Sequence, residues 1–195
     1  MIDSERAFIS KMNKTLSPPS EVFFKPEMMP AAVLVPVVFR GERPHLIFTL
    51  RTMTVAHHKG QISFPGGAAD ESDEGPVETA LREASEEIGL SPEFVRPLGC
   101  LPAVATVSSF WVVPVVGLVI GSPPFSRNPD EVAEIFELPL SAFERPSCHT
   151  TQPFQHGSVT HMVHHYEIGA RDIWGITGGI VHALLERLGT GGSNE

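Results

Sequence analysis

A chain of 195 residues, 42% hydrophobic and 19% charged, is long enough to bury a core, and its composition is neither that of a disordered nor of a fibrous protein. Its formal net charge of -9, from 14 basic and 23 acidic residues, repels nucleic-acid backbones with no Lys/Arg stripe to offset it; this argues against a polynucleotide partner but not against a small phosphorylated molecule. The longest apolar run, Phe110 to Ile120, is broken by Pro114 and Gly117, and the N-terminal stretch lacks the apolar core of a signal peptide, so no membrane association is expected and the cytoplasm is the default compartment.

Ala7, Phe8, Ile9 and Met12 suggest a short helix within residues 1–14, and the Pro-rich stretch from Ser17 to Pro30 reads as an extended lead-in. Ala31 to Phe39 and His45 to Leu50, rich in Val, Ile and Phe, flank the turn Arg40 to Pro44 and predict a β-hairpin. Gln61 to Phe64 predicts a short strand ending at the breaker Pro65-Gly66-Gly67. A helix over 76–88 follows. Pro76 suits its first turn, Gly89 suits the position past its last, and Val77, Ala80, Leu81, Ala84 and Ile88 make one buried stripe. Strands are predicted over Val95–Val104, Val107–Ile120 and Thr160–Ile168, and a final helix from about Asp172 to Leu188 with Ile173, Ile176, Ile180, Leu184 and Leu188 inward. Cys100 and Cys148 lack any ligand spacing and read as small buried hydrophobes. The whole is one mixed α/β (α+β) domain over 31–188, after an N-terminal helix and lead-in (1–30) and before a flexible tail (189–195).

Glu83, Glu86 and Glu87 lie three and four residues apart on the polar side of the 76–88 helix, so they can converge on one patch. Carboxylates that close destabilise a bare helix, and a hard divalent cation such as Mg2+ or Mn2+ relieves the repulsion. Acidic clusters on helices are more often plain solvated faces. The neighbourhood changes that balance: Phe64-Pro65-Gly66-Gly67 precedes the helix, with glycines that let backbone approach a ligand. Arg82 and Glu74 could pair to hold this loop against the helix.

The run from Gly66 to Leu90, GGAADESDEGPVETALREASEEIGL, resembles the Nudix box, with Glu74, Arg82, Glu83, Ala84, Glu86, Glu87, Gly89 and Leu90 in register. Ala68 stands at the box's first place, where a glycine is usual, and can still offer a backbone carbonyl to a metal. The resemblance implies a Nudix-type α/β/α sandwich with a mixed β-sheet. It also implies a metal-dependent hydrolase of nucleoside diphosphates linked to another moiety, with Mg2+ or Mn2+ held by Glu83, Glu86, Glu87 and Ala68. Arg82, Glu83 and Glu86 would belong to the catalytic set. A carboxylate from outside the box would serve as base or further ligand; Glu131 is preferred and Glu134 is the alternative, although both could equally be surface residues of a short helix.

Upstream, Thr49-Leu50-Arg51-Thr52, Gly60 and Phe64-Pro65-Gly66-Gly67 are similar to the signature of the coenzyme A pyrophosphatase branch, with its spacing kept. Thr52 replaces a small Ser or Ala, and Ala56 stands where a second Arg is expected; His57, His58 or Lys59 could substitute for it. The likeness continues through LGCLPAVAT, VVPVVG, NPDEVAEIFELPL and DIWGIT. It implies coenzyme A or an acyl derivative as the small-molecule substrate, Arg51 and Lys59 as phosphate contacts, Gly66 and Gly67 at the substrate, and a homodimer as a reasonable assembly. ADP-ribose, a dinucleoside polyphosphate or NADH is the rival substrate class. A nucleotide-binding module without catalysis is a third reading, against which the intact carboxylates speak. In HMVHHYEI, His164 and His165 would face opposite sides of a strand, so His161, His164 and His165 read as sheet-surface residues rather than a zinc site, and Trp174 reads as packing.

Overall fold

Apolar side chains of both parities along the longest strands predict burial on both faces. The computed structural model, which describes residues 2–25, 27–54, 59–157 and 159–190, has that arrangement. Strand β1 (Met29–Arg40) is central in a mixed sheet. Its end forms an antiparallel hairpin with β2 (Arg43–Arg51), pairing Val37 with Leu46. Its start pairs antiparallel with β4 (Gly66–Ala68), and Met29 to Val37 run parallel to β7 (Phe110–Val119). The short β3 (Ile62–Ser63) and the longer β8 (Val132–Pro139) pair with β2, while β5 (Val95–Cys100) and β6 (Val104–Ala105) pair with β7. A separate antiparallel sheet contains β9 (His149–His156), β10 (Val159–Ile168) and β11 (Arg171–Trp174), with β10 in the middle.

Residue parity sorts the core into two layers. Ala32, Leu34 and Val38 of β1, Ile47 of β2 and Val113, Val115 and Val119 of β7 face helix α2 (Pro76–Ile88), which buries Ala80, Ala84 and Ile88 against them. Val35 and Val37, Leu46 and Phe48, and Val116 and Leu118 face the other way. There they meet Phe8, Ile9 and Met12 of α1 (Asp3–Thr15), and Ile180, Val181, Leu184 and Leu185 of α3 (Gly175–Leu188). Tyr166 of β10 and Ile173 of β11 join this second layer. Helices thus cover both faces of a mixed sheet. Burying a side chain such as Ile88 or Leu184 contributes about 1.5–3 kcal/mol. Helix α2 starts with Pro76 at its first turn and stops at Gly89, whose φ of 66° gives the left-handed cap that a glycine adopts without strain. Among the described residues no helix is long and apolar enough to cross a membrane, and Cys100 and Cys148 are free and buried.

Several local expectations need correcting. The hairpin turn is only Gly41-Glu42, because Arg43 and Pro44 already pair with Arg40 and Phe39. Gly66 and Gly67 do not simply break a strand: they form β4, three residues long, against β1. The segment after Glu131 is strand β8 rather than a short helix, drawn onto β2 by the alternation of Ile135 and Phe136 between the two layers. The final helix starts at Gly175, since Arg171–Trp174 is used as β11. Strand β9 was not expected, as its polar sequence HTTQPFQH carries no apolar alternation. Ala56, His57 and His58, and residues 191–195 of the expected tail, lie outside the described residues.

Candidate active site

Sequence spacing on α2 places Glu83 and Glu87 one turn apart, and the sheet decides what they meet. Glu87 points inward and its side chain is only 3% exposed. One oxygen lies 3.3 Å from Arg51 Nη1 at the end of β2, and the other accepts the Gly66 backbone N–H at 3.3 Å. Burial is the main cause that holds its carboxyl up at about 7; Arg51 opposes the rise, whereas the charges of Glu83 and Glu131 add to it. Glu83 is also raised, by burial first, with Arg82 lowering it and Glu86 and Glu131 raising it. Glu86 sits at the rim with its side chain 57% exposed, bonded to Arg82 Nη1 at 3.2 Å.

Arg82 does not pair with Glu74, as the sequence suggested. Its Nε and Nη2 donate to the two carboxylate oxygens of Asp73 at 3.1 and 3.0 Å, its Nη1 to Glu83 at 2.9 Å, and its Nη2 also to the Ala68 carbonyl at 2.9 Å. Asp73 in addition accepts from the Asp70 backbone N–H and the Thr79 hydroxyl. The guanidinium beside it holds the Asp73 carboxyl down at about 2. Glu74 instead gives its backbone N–H to Glu78, at 2.6 Å. Sequence reasoning missed Asp73: it lies nine residues before Arg82, outside helical spacing, and only the fold of the 70–75 turn brings it there.

The glycines upstream are explained by contact. A Cβ on Gly67 would lie 2.6 Å from the Glu83 carboxylate, and one on Gly66 would lie 2.4 Å from the Ala32 carbonyl oxygen of β1. Backbone and carboxylates therefore approach closer than any side chain at these positions would allow. Ala68 requires no glycine, since Ser109 is the one non-glycine among the described residues with positive φ.

Of the outside carboxylates, Glu131 is the one whose charge reaches Glu83 and Glu87, and its carbonyl accepts the Thr52 N–H at 2.9 Å, tying its loop to the end of β2. Glu134 is committed elsewhere, to a two-pronged bridge with Arg171 at 2.7 and 3.2 Å. Arg51 meets the cluster, and its buried Nε is without a hydrogen-bond partner. Lys59 is exposed. An open groove of about 980 Å³ runs along the outer flank of α2 past Leu81, Ser85 and Phe23 and meets the cluster at Arg82 and Glu86.

Of the expected histidines, His161 is exposed on β10. His165 faces Asp172, at 3.1 Å, and Trp174, with ring centroids 5.7 Å apart. His164 lies on the other side of the strand as expected, but half-buried against His149 and His182 rather than at a plain sheet surface.

Residues 28–157 match the NUDIX domain family. The chain is 42% identical over 154 residues to the Nudix hydrolase NudL of Pectobacterium atrosepticum, covering 79% of this chain and 80% of that protein. To NudL of Yersinia enterocolitica it is 37% identical over 190 residues, covering 93% and 97%. A crystal structure of a MutT/nudix family protein from Enterococcus faecalis superimposes with a TM-score of 0.51 at 17% identity, covering 97% of this chain and 81% of that one, a likeness of fold. The family match, the two relatives and the carboxylate helix under its glycine loop agree: the chain belongs to the Nudix family of hydrolases.

Proposed function

We propose that the protein is a Mg2+- or Mn2+-dependent pyrophosphohydrolase that cleaves the diphosphate of coenzyme A or its derivatives, giving 3′,5′-ADP and 4′-phosphopantetheine or its acyl form. The observation that carries this reading is the meeting of Glu83 and Glu87, within reach of the Glu131 charge and beneath Gly66 and Gly67, with Arg51 as the inner cation.

The residues fit a hard divalent cation. Buried carboxylates in mutual repulsion, raised by desolvation, are the state that such a cation relieves, and the missing Cβ at Gly67 keeps space beside Glu83. Glu83, Glu86, Glu87 and the Ala68 carbonyl would hold it, all of them oxygen donors. Bound there, the ion supplies polarisation of the diphosphate oxygens and a lowered pKa for a nearby water.

The chain's own groups do the rest. Arg82 spends its donors on Asp73, Glu83, Glu86 and Ala68, so its part is to position the carboxylates and the loop. Arg51 offers a guanidinium to the diphosphate from the end of β2. Glu131 accepts the proton of the attacking water as the new P–O bond forms and the bridging P–O bond breaks, the bridging oxygen leaving with the other phosphate. The groove along α2 gives an extended substrate arm a place to lie. Support for coenzyme A itself comes from Thr49, Arg51, Gly60 and Phe64 to Gly67 in the spacing of the upstream signature. The second reading, another nucleoside diphosphate derivative such as ADP-ribose, NADH or a dinucleoside polyphosphate, is favoured by Ala56, where that signature has an Arg.

The test is product analysis after incubation with Mg2+ or Mn2+ and coenzyme A, beside ADP-ribose and NADH. Faster release of 3′,5′-ADP from coenzyme A is expected; faster cleavage of another diphosphate replaces the substrate and keeps the chemistry. Glu83→Gln and Glu87→Gln are each expected to cut kcat on the order of a thousandfold, the worth of several kcal/mol of charge stabilisation. Undiminished turnover in both variants would place the metal centre elsewhere.

A further inference from the structure

Three histidines that no spacing rule groups meet behind the sheet: His149 opens β9, His164 is in the middle of β10, and His182 is in the second half of α3. Each offers a ring nitrogen, and these three atoms lie within 4.8 Å of one another. We propose that His149, His164 and His182 form a second metal site, for a transition-metal ion of the zinc class, which fastens the β9–β10 hairpin to α3.

Imidazole nitrogen is the donor that Zn2+ takes and that Mg2+ does not seek, so the trio differs in kind from the all-oxygen carboxylate cluster. It also belongs to the other layer, since α3 and β10 pack on the face of the sheet opposite α2. A tetrahedral zinc with nitrogens at 2.0–2.1 Å sets its ligands about 3.4 Å apart. His149 Nε2 and His164 Nδ1 are 2.9 Å apart, sharing a hydrogen bond that a bound ion would replace, and the His164 and His182 rings lie 3.9 Å apart between centroids. The rings now stack within 20° of parallel, so closing on an ion requires side-chain rotation.

The surroundings suit a ligand set. The Tyr166 hydroxyl lies 3.0 Å from His182 Nδ1, the outer hydrogen bond that fixes which nitrogen faces an ion, and its ring stacks on His149 at 4.6 Å. Glu186, one turn along α3, has a carboxylate oxygen 3.7 Å from His182 Nε2 and can complete the shell, as can water. Burial lowers the His149 and His164 pKa, the latter to about 4, which leaves their lone pairs free at neutral pH. Plain ring packing is the competing account. Nearby, however, the same layer fills its ring contacts with phenylalanines, Phe48 against Phe64, Phe136 and Phe143, and apolar packing alone gives no reason for three imidazoles to meet at one point.

The experiment measures metal content and spectrum of the full chain in the Glu83→Gln/Glu87→Gln background, which weakens the carboxylate centre. After loading with Zn2+ and gel filtration, one zinc per chain is expected to remain, and Co2+ in its place is expected to give the intense visible absorption of a tetrahedral nitrogen site. His149→Gln and His182→Gln are each expected to lose the retained zinc and the cobalt band. Tyr166→Phe is expected to weaken zinc affinity about 10–100-fold. Circular dichroism and thermal melts in chelator establish that each variant is folded; if His149→Gln fails to fold, the partly buried His182→Gln decides. No retained zinc, or retention that both histidine variants leave unchanged, overturns the proposal, and neither result bears on the diphosphate chemistry.

Discussion

At the scale of single residues, the most consequential one is Asp73, which accepts four hydrogen bonds and holds Arg82 in place. Its carboxyl is held at about 2, below the ordinary value of 3.8. A depressed carboxylate contributes stability that is fully present above the unfolded value and lost as pH falls through the folded one. Asp73→Asn is therefore expected to lower stability at neutral pH by about 1–3 kcal/mol. The difference from the unaltered protein is expected to shrink between about pH 4 and about pH 2, as read by thermal melts across that range. Glu83 and Glu87 were legible in the sequence because helical spacing puts them one turn apart and the run from Gly66 to Leu90 resembles the Nudix box. Asp73 was not, because its partner is reached through a turn, and neither were His149 and His182, which join His164 only through tertiary packing.

Among the elements, α2 could be read because its apolar period matched a helix, and β1 and β7 because they are near-continuous Val-rich runs, whereas β9 has neither and holds Pro153. Strand β8 and the start of α3 were ambiguous for a related reason: short apolar runs fit either state until the sheet recruits them. The loop containing β4 gives the sharpest test of how element and site are joined. In Gly66→Ala the new Cβ meets backbone, the Ala32 carbonyl oxygen and Val33 Cα at 2.4 and 2.6 Å, and backbone cannot yield cheaply. A loss of about 1–3 kcal/mol or more in denaturant unfolding is expected. In Gly67→Ala the three atoms nearest the Cβ all belong to the end of the Glu83 side chain. That variant is expected to keep its stability and lose activity, and equal stability losses in the two would contradict this division.

For the whole molecule, the two-layer core separates stability from chemistry. Leu184→Ala on the α3 side and Ile88→Ala on the α2 side each empty a fully buried site and are each expected to cost about 2–5 kcal/mol. Activity per folded molecule is expected to survive the first and fall in the second, because Ile88 adjoins Glu87 and seats the helix that carries it; unfolding curves beside specific activity measure both. Strand β1 pairs in parallel with β7, and the chain between them contains β2, β4 and all of α2. Synthesis on the ribosome proceeds from the N-terminus, so α2 emerges before the β7 residues that wall its inner face. Until Val115 has left the exit tunnel, Ala84 and Ile88 lack Val113 and Val115 as partners. A nascent chain stalled before that point holds every glutamate of the box but neither the wall behind its helix nor Glu131 in place, and is expected to lack hydrolase activity.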